Sequence, residues 1–154
     1  MAQDAAMYVL NLLQNDDEFC ALVSGGAANI LCTGDMLVTV LHNSEITRRD
    51  TSATGVLAVS VQDAGEMRQV GDIFRQSVVV RGLDRLNGFS AIRSVREKCI
   101  ELIDGVSVQL DEAKGGIISI TYQSRSGHRV DRTYNVDFES TIFTATVQYA
   151  PREA

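Results

Sequence analysis

The chain has 154 residues, of which 45% are hydrophobic, and it carries a formal net charge of −6. A chain of this size and composition can bury one sizeable core, so a single domain over residues 1–154 is the default expectation. The acidic balance argues against gripping nucleic acid, no apolar run approaches the roughly 18 residues of a membrane span, and the start MAQDAAMY lacks the build of a signal peptide.

An amphipathic helix is the first predicted element. Asp4 can cap it, and the apolar residues that follow recur at i, i+3, i+4 and i+7: Ala6, Val9, Leu10 and Leu13. Asp16 or Asp17 then offers a cap for a short helical turn, which Gly25 and Gly26 end. The N-terminus is therefore expected to be one helix or a broken pair.

Short strands and a polar loop are predicted next. Residues 29–33 and 36–41 are predicted strands joined by a tight turn at Gly34 and Asp35, and a small auxiliary sheet is one interpretation of them. The run 42–54 is polar and predicts an exposed loop whose tip can reach a neighbour.

Two strands of the main sheet are predicted at 56–61 and 73–83, joined by a polar connection long enough for a projecting hairpin or loop. The second strand contains the run Val78, Val79 and Val80. A continuous β-branched run predicts burial on both faces, which is typical of a central strand.

The second helix is predicted to start at Asn87 or Ser90 and to end before Gly105, which is in the place of a C′ glycine. Arg93, Arg96, Glu97 and Glu101 are interpreted as its solvated face. Its apolar stripe must lie against a sheet, and comprises Phe89, Ile92, Val95, Cys99, Leu102 and Ile103.

A β-meander closes the chain. The predicted strands are 106–110, 116–123, 129–136 and 141–149, with a turn at 124–127 before the third of them. In the last strand Phe143 and Ala145 alternate with threonines, as in a half-buried strand. The order of elements predicts an α+β fold: a mixed or antiparallel β-sheet packed by two α-helices.

No catalytic or metal-binding constellation is recognisable in the sequence. His42 and His128 lack a second ligand at metal spacing and are interpreted as solvated loop residues. Cys20, Cys32 and Cys99 form an odd set without short spacing and are interpreted as buried thiols. We therefore predict no enzyme activity, no cofactor and no bound metal.

Pairs of distant carboxylates leave one catalytic alternative open. Asp63 with Glu66, or Asp131 with Asp137, could be brought together by the fold as a general acid and base. No nucleophile, base and orienting group can be named together, which is why an enzyme is not the leading hypothesis.

Arginine dominates the cations, because twelve of the fourteen are Arg. Arg is enriched at protein interfaces, although lineage bias would give the same count. Two groups of charged loop and edge residues are candidate subunit or partner contacts: Arg48, Arg49, Asp50, Arg125, Arg129, Asp131 and Arg132. The alternative is an ordinary charged surface, whose ion pairs contribute about 0–1 kcal/mol each.

The order of these segments is also informative as a whole. A leading helix is followed by VLAVSVQ and DIFRQSVVVRGLDR, then by the helix GFSAIRSVREKCIELIDG and the meander GIISITYQSRSGHRVDRTYNVDFESTIFTATVQY. This order resembles the tail terminator, or tail completion, proteins of long-tailed bacteriophages, and the likeness covers nearly the whole chain. The resemblance implies a tail-terminator-like α+β fold with helices packed on a sheet.

The same resemblance implies a structural function. Such proteins form a homohexameric ring at the head-proximal end of the tail tube, where the ring stops tube polymerisation and provides the docking surface for the head. Its expected partners are further copies of itself, the tail tube protein and a head–tail connector or neck protein. DNA would pass through the bore without sequence-specific binding, no membrane would be involved, and the protein would enter the virion after assembly in the host cytoplasm.

Two alternatives to this function are kept. A head-side neck or head-completion protein of the same assembly could share the fold while docking on the portal side. From a different class, the chain could be a small-molecule-binding or catalytic α+β domain, for which a deep pocket with converging polar groups would be the sign.

Overall fold

A computed structural model describes residues 5–23, 25–32, 56–63, 68–70, 73–84, 90–111, 116–131 and 136–148. The helices are α1 (Ala5–Gln14), α2 (Asp17–Cys20) and α3 (Ser90–Ile103), with a 3-10 helix at Gly26–Asn29. The strands are β1 (Ile30–Cys32), β2 (Ala58–Asp63), β3 (Arg68–Val70), β4 (Ile73–Asp84), β5 (Val106–Asp111), β6 (Gly116–Arg125), β7 (Arg129–Asp131) and β8 (Val136–Gln148). Within these ranges no helix is long and apolar enough to cross a membrane.

All the described strands belong to one mixed sheet. Its order is β1-β2-β4-β8-β6-β5, with β3 paired to β4 and β7 paired to β8. Strand β1 runs parallel to β2, and the other described pairs are antiparallel. The expected α+β architecture, a mixed sheet packed by helices, is confirmed.

The edge strand β1 corrects one interpretation. Ile30 pairs with Val59 and Cys32 with Val61, so this segment belongs to the main sheet and not to an auxiliary one. The predicted strand at 36–41, its turn and the predicted loop at 42–54 lie outside the described residues, as do the proposed helix-capping residues Asp4 and Asn87.

Strand β4 is the central strand that the valine run predicts. It pairs with β2 on one side and with β8 over twelve consecutive residue pairs on the other. Val78, Val79 and Val80 are all buried, although successive side chains of a strand point to opposite faces. Both faces of the sheet are therefore covered at this point.

The helices α1 and α3 cover one face of the sheet. Helix α1 packs on β1, β2 and β4, whereas α3 packs on β4, β8 and β6, and the two helices contact each other. The apolar stripes predicted for both helices supply the core, together with Phe19 of α2 and alternate residues of the strands, although Leu102 is only half-buried and Phe89 lies outside the described residues. The largest fully buried side chains include Phe19, Phe143, Leu13, Ile30, Ile92, Ile103, Ile118 and Ile120.

Two local signals place the helices as predicted. Asp16 caps α2, because its carboxylate accepts a hydrogen bond from the Phe19 N–H at 2.8 Å. Gly105 follows α3 with φ of +81°, a left-handed conformation that favours glycine at C′. A second glycine, Gly82 of β4, allows close packing: a Cβ there would lie 3.2 Å from the Cγ1 of Val95 on α3.

The predicted reversal at 124–127 is wrong. Strands β6 and β7 both pair antiparallel with β8, and they do so on the same side of it, since β4 occupies the other side. The chain therefore runs on in one direction from β6 through residues 126–128 into β7. The reversal falls later, between Asp131 and Val136, which are paired.

Two bulges explain why the sequence suggested a turn here. The register of β6 against β8 shifts between Tyr122 and Ser124. A second extra residue follows, because four positions separate Arg125 from Arg129 while three separate their partners Thr141 and Phe138. Bulges bend a strand without reversing it, and polar residues with a glycine are typical of both bulges and turns.

Candidate assembly interface

The structure describes part of the charged set that the sequence selects. Arg48, Arg49, Asp50 and Arg132 lie outside the described residues. Arg125 ends β6 and Arg129 begins β7, and both side chains are exposed. Asp131 ends β7 opposite Val136, with only its backbone described. The structure thus brings Arg125 and Arg129 to one end of the sheet, on the same continuous arm.

We call the exposed residues Arg125, Arg129 and Val130 the basic corner. Val130 is a large apolar side chain that is 48% exposed between the polar groups of β7. Strand β5 pairs with β6 only as far as Ile120, so no described strand lies along the outer edge of the sheet beyond that residue. An open edge that carries charge and an exposed apolar residue is suited to contact with another protein.

A hydrogen-bond network holds the basic corner to β8. The Ser126 N–H donates to the Ser140 carbonyl at 2.9 Å, and the Ser140 N–H donates to Ser126 Oγ at 3.0 Å. The side-chain Oγ of Ser140 accepts a further hydrogen bond, from Arg81 Nε at 2.9 Å. These bonds span the gap between β6 and β7, where ladder pairing is interrupted.

Arg81 links this network to the neighbouring strands. Its Nη1 donates to Gln62 Oε1 on β2 at 2.7 Å, and its guanidinium lies 5.7 Å from the centre of the Phe138 ring. Burial lowers the pKa of the Arg81 guanidinium from its ordinary value. The hydrogen bonds and the aromatic contact replace water around the cation.

Buried carboxylates lie beneath the basic corner on the helix-covered side. Asp84 and Asp137 are paired across β4 and β8 and are 0% and 2% exposed. Glu139, 7% exposed, accepts a hydrogen bond from Arg96 Nη1 at 2.7 Å. Buried carboxylates are costly to desolvate unless they are paired, so the ion pair to α3 is what permits Glu139 at this position.

One interpretation of a charged residue is wrong at this end of the sheet. Arg96 does not belong to a solvated face, since its side chain is only 12% exposed and binds Glu139. His128 is an exposed residue between β6 and β7, as interpreted, and its Nε2 lies 3.6 Å from Oδ2 of the buried Asp137. His42 lies outside the described residues.

The sequence contained a signal for the buried carboxylates. Asp137, Glu139 and Thr141 have the same parity along β8 as Phe143 and Ala145, which face the core. Extending the alternation backwards would have placed the acids inside. The predicted strand began only at Thr141, and so that inference was missed.

The described cysteines are free thiols. Cys99 is buried in the core, where desolvation raises the pKa of its thiol strongly. Cys20 is half-buried, and burial, followed by Asp17 and Asp16, raises the pKa of its thiol. The interpretation of Cys99 as a buried thiol is confirmed; for Cys32 only the backbone is described. No group of three or more potential metal ligands occurs among the described residues.

The carboxylate pairs left open as acid and base are not tested by this geometry. Glu66 lies outside the described residues, and the side chains of Asp63 and Asp131 are not described. Of the four carboxylates, only Asp137 has a described side chain, and its neighbour is His128.

A second surface of interest lies on the outer side of α1 and α2. A shallow groove of about 370 Å³ is lined by Tyr8, Asn11, Leu12, Asn15 and Asp16. Exposed Asp17 and Glu18 follow on α2, and Glu18 forms an ion pair with Lys98 of α3. We call this groove, with Asp17 and Glu18, the acidic groove.

Comparison with solved structures gives an informative match. The fold as a class is an α+β sheet layered with helices, and a solved chain from "Virion of native gene transfer agent (GTA) particle" shares it with a TM-score of 0.60. The match covers 91% of this chain and 91% of that chain, at 15% sequence identity. No protein-family model and no curated protein matches the sequence.

Proposed function

We propose that this chain is a structural virion protein that caps a phage-type tail tube. Copies would form a homo-oligomeric, hexameric ring that ends tube polymerisation and presents the docking surface for the head. The observation that carries this proposal is the shared fold, over nine-tenths of both chains, with a protein of a virion particle. The resemblance of the element order to tail terminator proteins supports the finer assignment.

The geometry is consistent with a protein that acts through contacts at its exposed surfaces. The exposed basic corner and the acidic groove are open features, whereas the buried Asp84, Asp137 and Glu139 are enclosed by the sheet and α3. The groove is shallow, unlike the deep clefts in which small ligands are usually held. We propose a non-enzymatic role in which the tail tube protein and a connector or neck protein are the partners.

Light scattering and electron microscopy test the ring. The purified protein, alone and mixed with tail tube protein, should yield a species of about six copies that is visible as a ring at tube ends. Tubes grown in its presence should stop at bounded length. A strictly monomeric protein under both conditions, with no effect on tube growth, would refute the proposal.

Capture on immobilised partners separates the tube-capping role from the head-side alternative. Preferential binding to tail tube protein supports the cap, whereas preferential binding to portal protein identifies a head-side neck protein. The same assay with a variant of the basic corner shows whether that surface contacts the partner.

A further inference from the structure

We propose that the acidic groove of one copy receives the basic corner of the next copy, so that the two surfaces form the repeated contact of the ring. This inference rests on the proposed function, because it assumes that copies associate. It assigns the contact to particular residues, which the shared fold by itself does not.

The first argument is charge complementarity. The acidic groove carries Asp17, together with Asp16, which caps α2, and Glu18, which is paired with Lys98; the basic corner carries Arg125 and Arg129. Neither arginine is ion-paired to any carboxylate whose side chain is described, and Asp17 has no described cationic partner either. Complementary charges steer association and set the register of a contact, and Arg can bind a carboxylate through two parallel hydrogen bonds.

The second argument is that both surfaces combine charge with apolar area. Val130 is exposed beside Arg129, while Tyr8 and Leu12 of the groove are only half-buried on the outer side of α1. Interfaces of stable complexes have an apolar centre within a polar rim, and Tyr is enriched in them. Val130 would enter the groove while the arginines meet the acids around it.

The third argument is the position of the two surfaces on the sheet. Helix α1 packs over β1 and β2, at one flank of the strand order. Strand β7 pairs with β8 on the side away from β4, toward the other flank. A single copy therefore cannot join its own two surfaces. Contact between different surfaces of identical copies is head-to-tail, and such a contact gives a ring where the rotation between copies closes and an open filament where it does not.

Charge reversal tests the contact. Arg129→Glu and Asp17→Arg, made separately, should each raise the concentration needed for half-assembly by at least about tenfold, because like charges then meet. The double variant should regain most of the wild-type assembly, since the pair is restored with opposite polarity. The matched control is Arg75→Glu, the same change on an exposed arginine near the start of β4, whereas β7 lies level with the end of that strand. This variant should assemble normally.

Circular dichroism and thermal melting confirm that every variant is folded before light scattering is interpreted. If the wild type forms rings and the single variants do so equally well, the contact is wrong while the proposed function stands. If Arg129→Glu instead aggregates without any rescue by Asp17→Arg, the arginines protect a sheet edge and the contact is again wrong. If the wild type never associates, alone or with tube protein, both proposals fail.

Discussion

Strand β8 passes through two regions, one in which it buries apolar side chains and one in which it buries charged side chains. Opposite β6, it buries Phe143 and Ala145 among apolar side chains of the helices and strands. At and next to its pairing with β7, it buries Asp137 and Glu139, whose partners include His128 and Arg96. The first region gains stability from removing apolar surface from water, whereas the second requires each charged group to keep its partner. The polar region adjoins the proposed contact, since Asp137 is paired with Val130.

The largest expected effect is in the apolar region. Phe143→Ala should lower the free energy of unfolding by about 3–5 kcal/mol, because it opens a cavity in a fully buried site and removes the edge-to-face contact with Tyr122. Urea unfolding measures the change. Thr146→Ala, on a half-buried position of the same strand, is the control and should cost less than about 1 kcal/mol. Equal effects of the two substitutions would contradict the assignment of the core.

The next effect concerns the buried ion pair of the polar region. Glu139→Ala leaves the Arg96 guanidinium without its partner and should cost about 3 kcal/mol. Replacing both residues with apolar ones, Arg96→Met with Glu139→Leu, should cost much less than the sum of the two single changes. Glu97→Ala, on the exposed side of α3, serves as a control with little effect. Strictly additive single and double variants would show that the pair is not energetically coupled.

The packing of α3 onto the sheet can be tested at Gly82, which is paired with Glu139. Gly82→Ala should lower stability by about 1–3 kcal/mol, because the new methyl group would approach Val95 to 3.2 Å. In a chain that already carries Val95→Ala, the same substitution should cost less. A cost that is independent of residue 95 would mean that the helix does not approach the sheet at this glycine.

The smallest expected effect is the pH dependence contributed by Cys99. Burial raises the pKa of its thiol above the ordinary 9.0, so the folded protein holds the proton more tightly than the unfolded chain. Its contribution to stability is therefore complete below about pH 9 and falls as the pH rises further. The stability difference between the wild type and Cys99→Ala should shrink between about pH 7 and pH 10.5, as measured by urea unfolding. A constant difference over that interval would show that the thiol is not shielded from water.

Much of the fold could be predicted from the sequence because periodicity reports burial directly. The stripe of α1, most of the stripe of α3, the central strand with Val78 to Val80 and the glycine after α3 are found as predicted. The continuous arm formed by β6 and β7 could not be predicted, because Ser126 and Gly127 fit a bulge as well as a turn. Only the pairing with β8, a contact distant in sequence, distinguishes these possibilities.

The candidate interface was predictable only in part for a similar reason. Arg125 and Arg129 were selected by charge, and the structure places both exposed on one arm. The roles of Arg96 and His128 depend on carboxylates more than eight residues away in the chain, Glu139 and Asp137, which no local pattern connects to them. The acidic groove arises from two helices whose outer residues look individually like ordinary surface.

The bulged arm determines where this protein can change in length. A strand that already contains an unpaired residue can gain or lose one there, since the pairing on either side is kept. Strand β4 has no unpaired residue against β8, because twelve successive residues are paired. One inserted residue would therefore turn Val78 and Val80 away from the helices. Insertions and deletions among homologues should therefore gather around residues 123–128, and the same site could carry an inserted peptide tag with the core undisturbed.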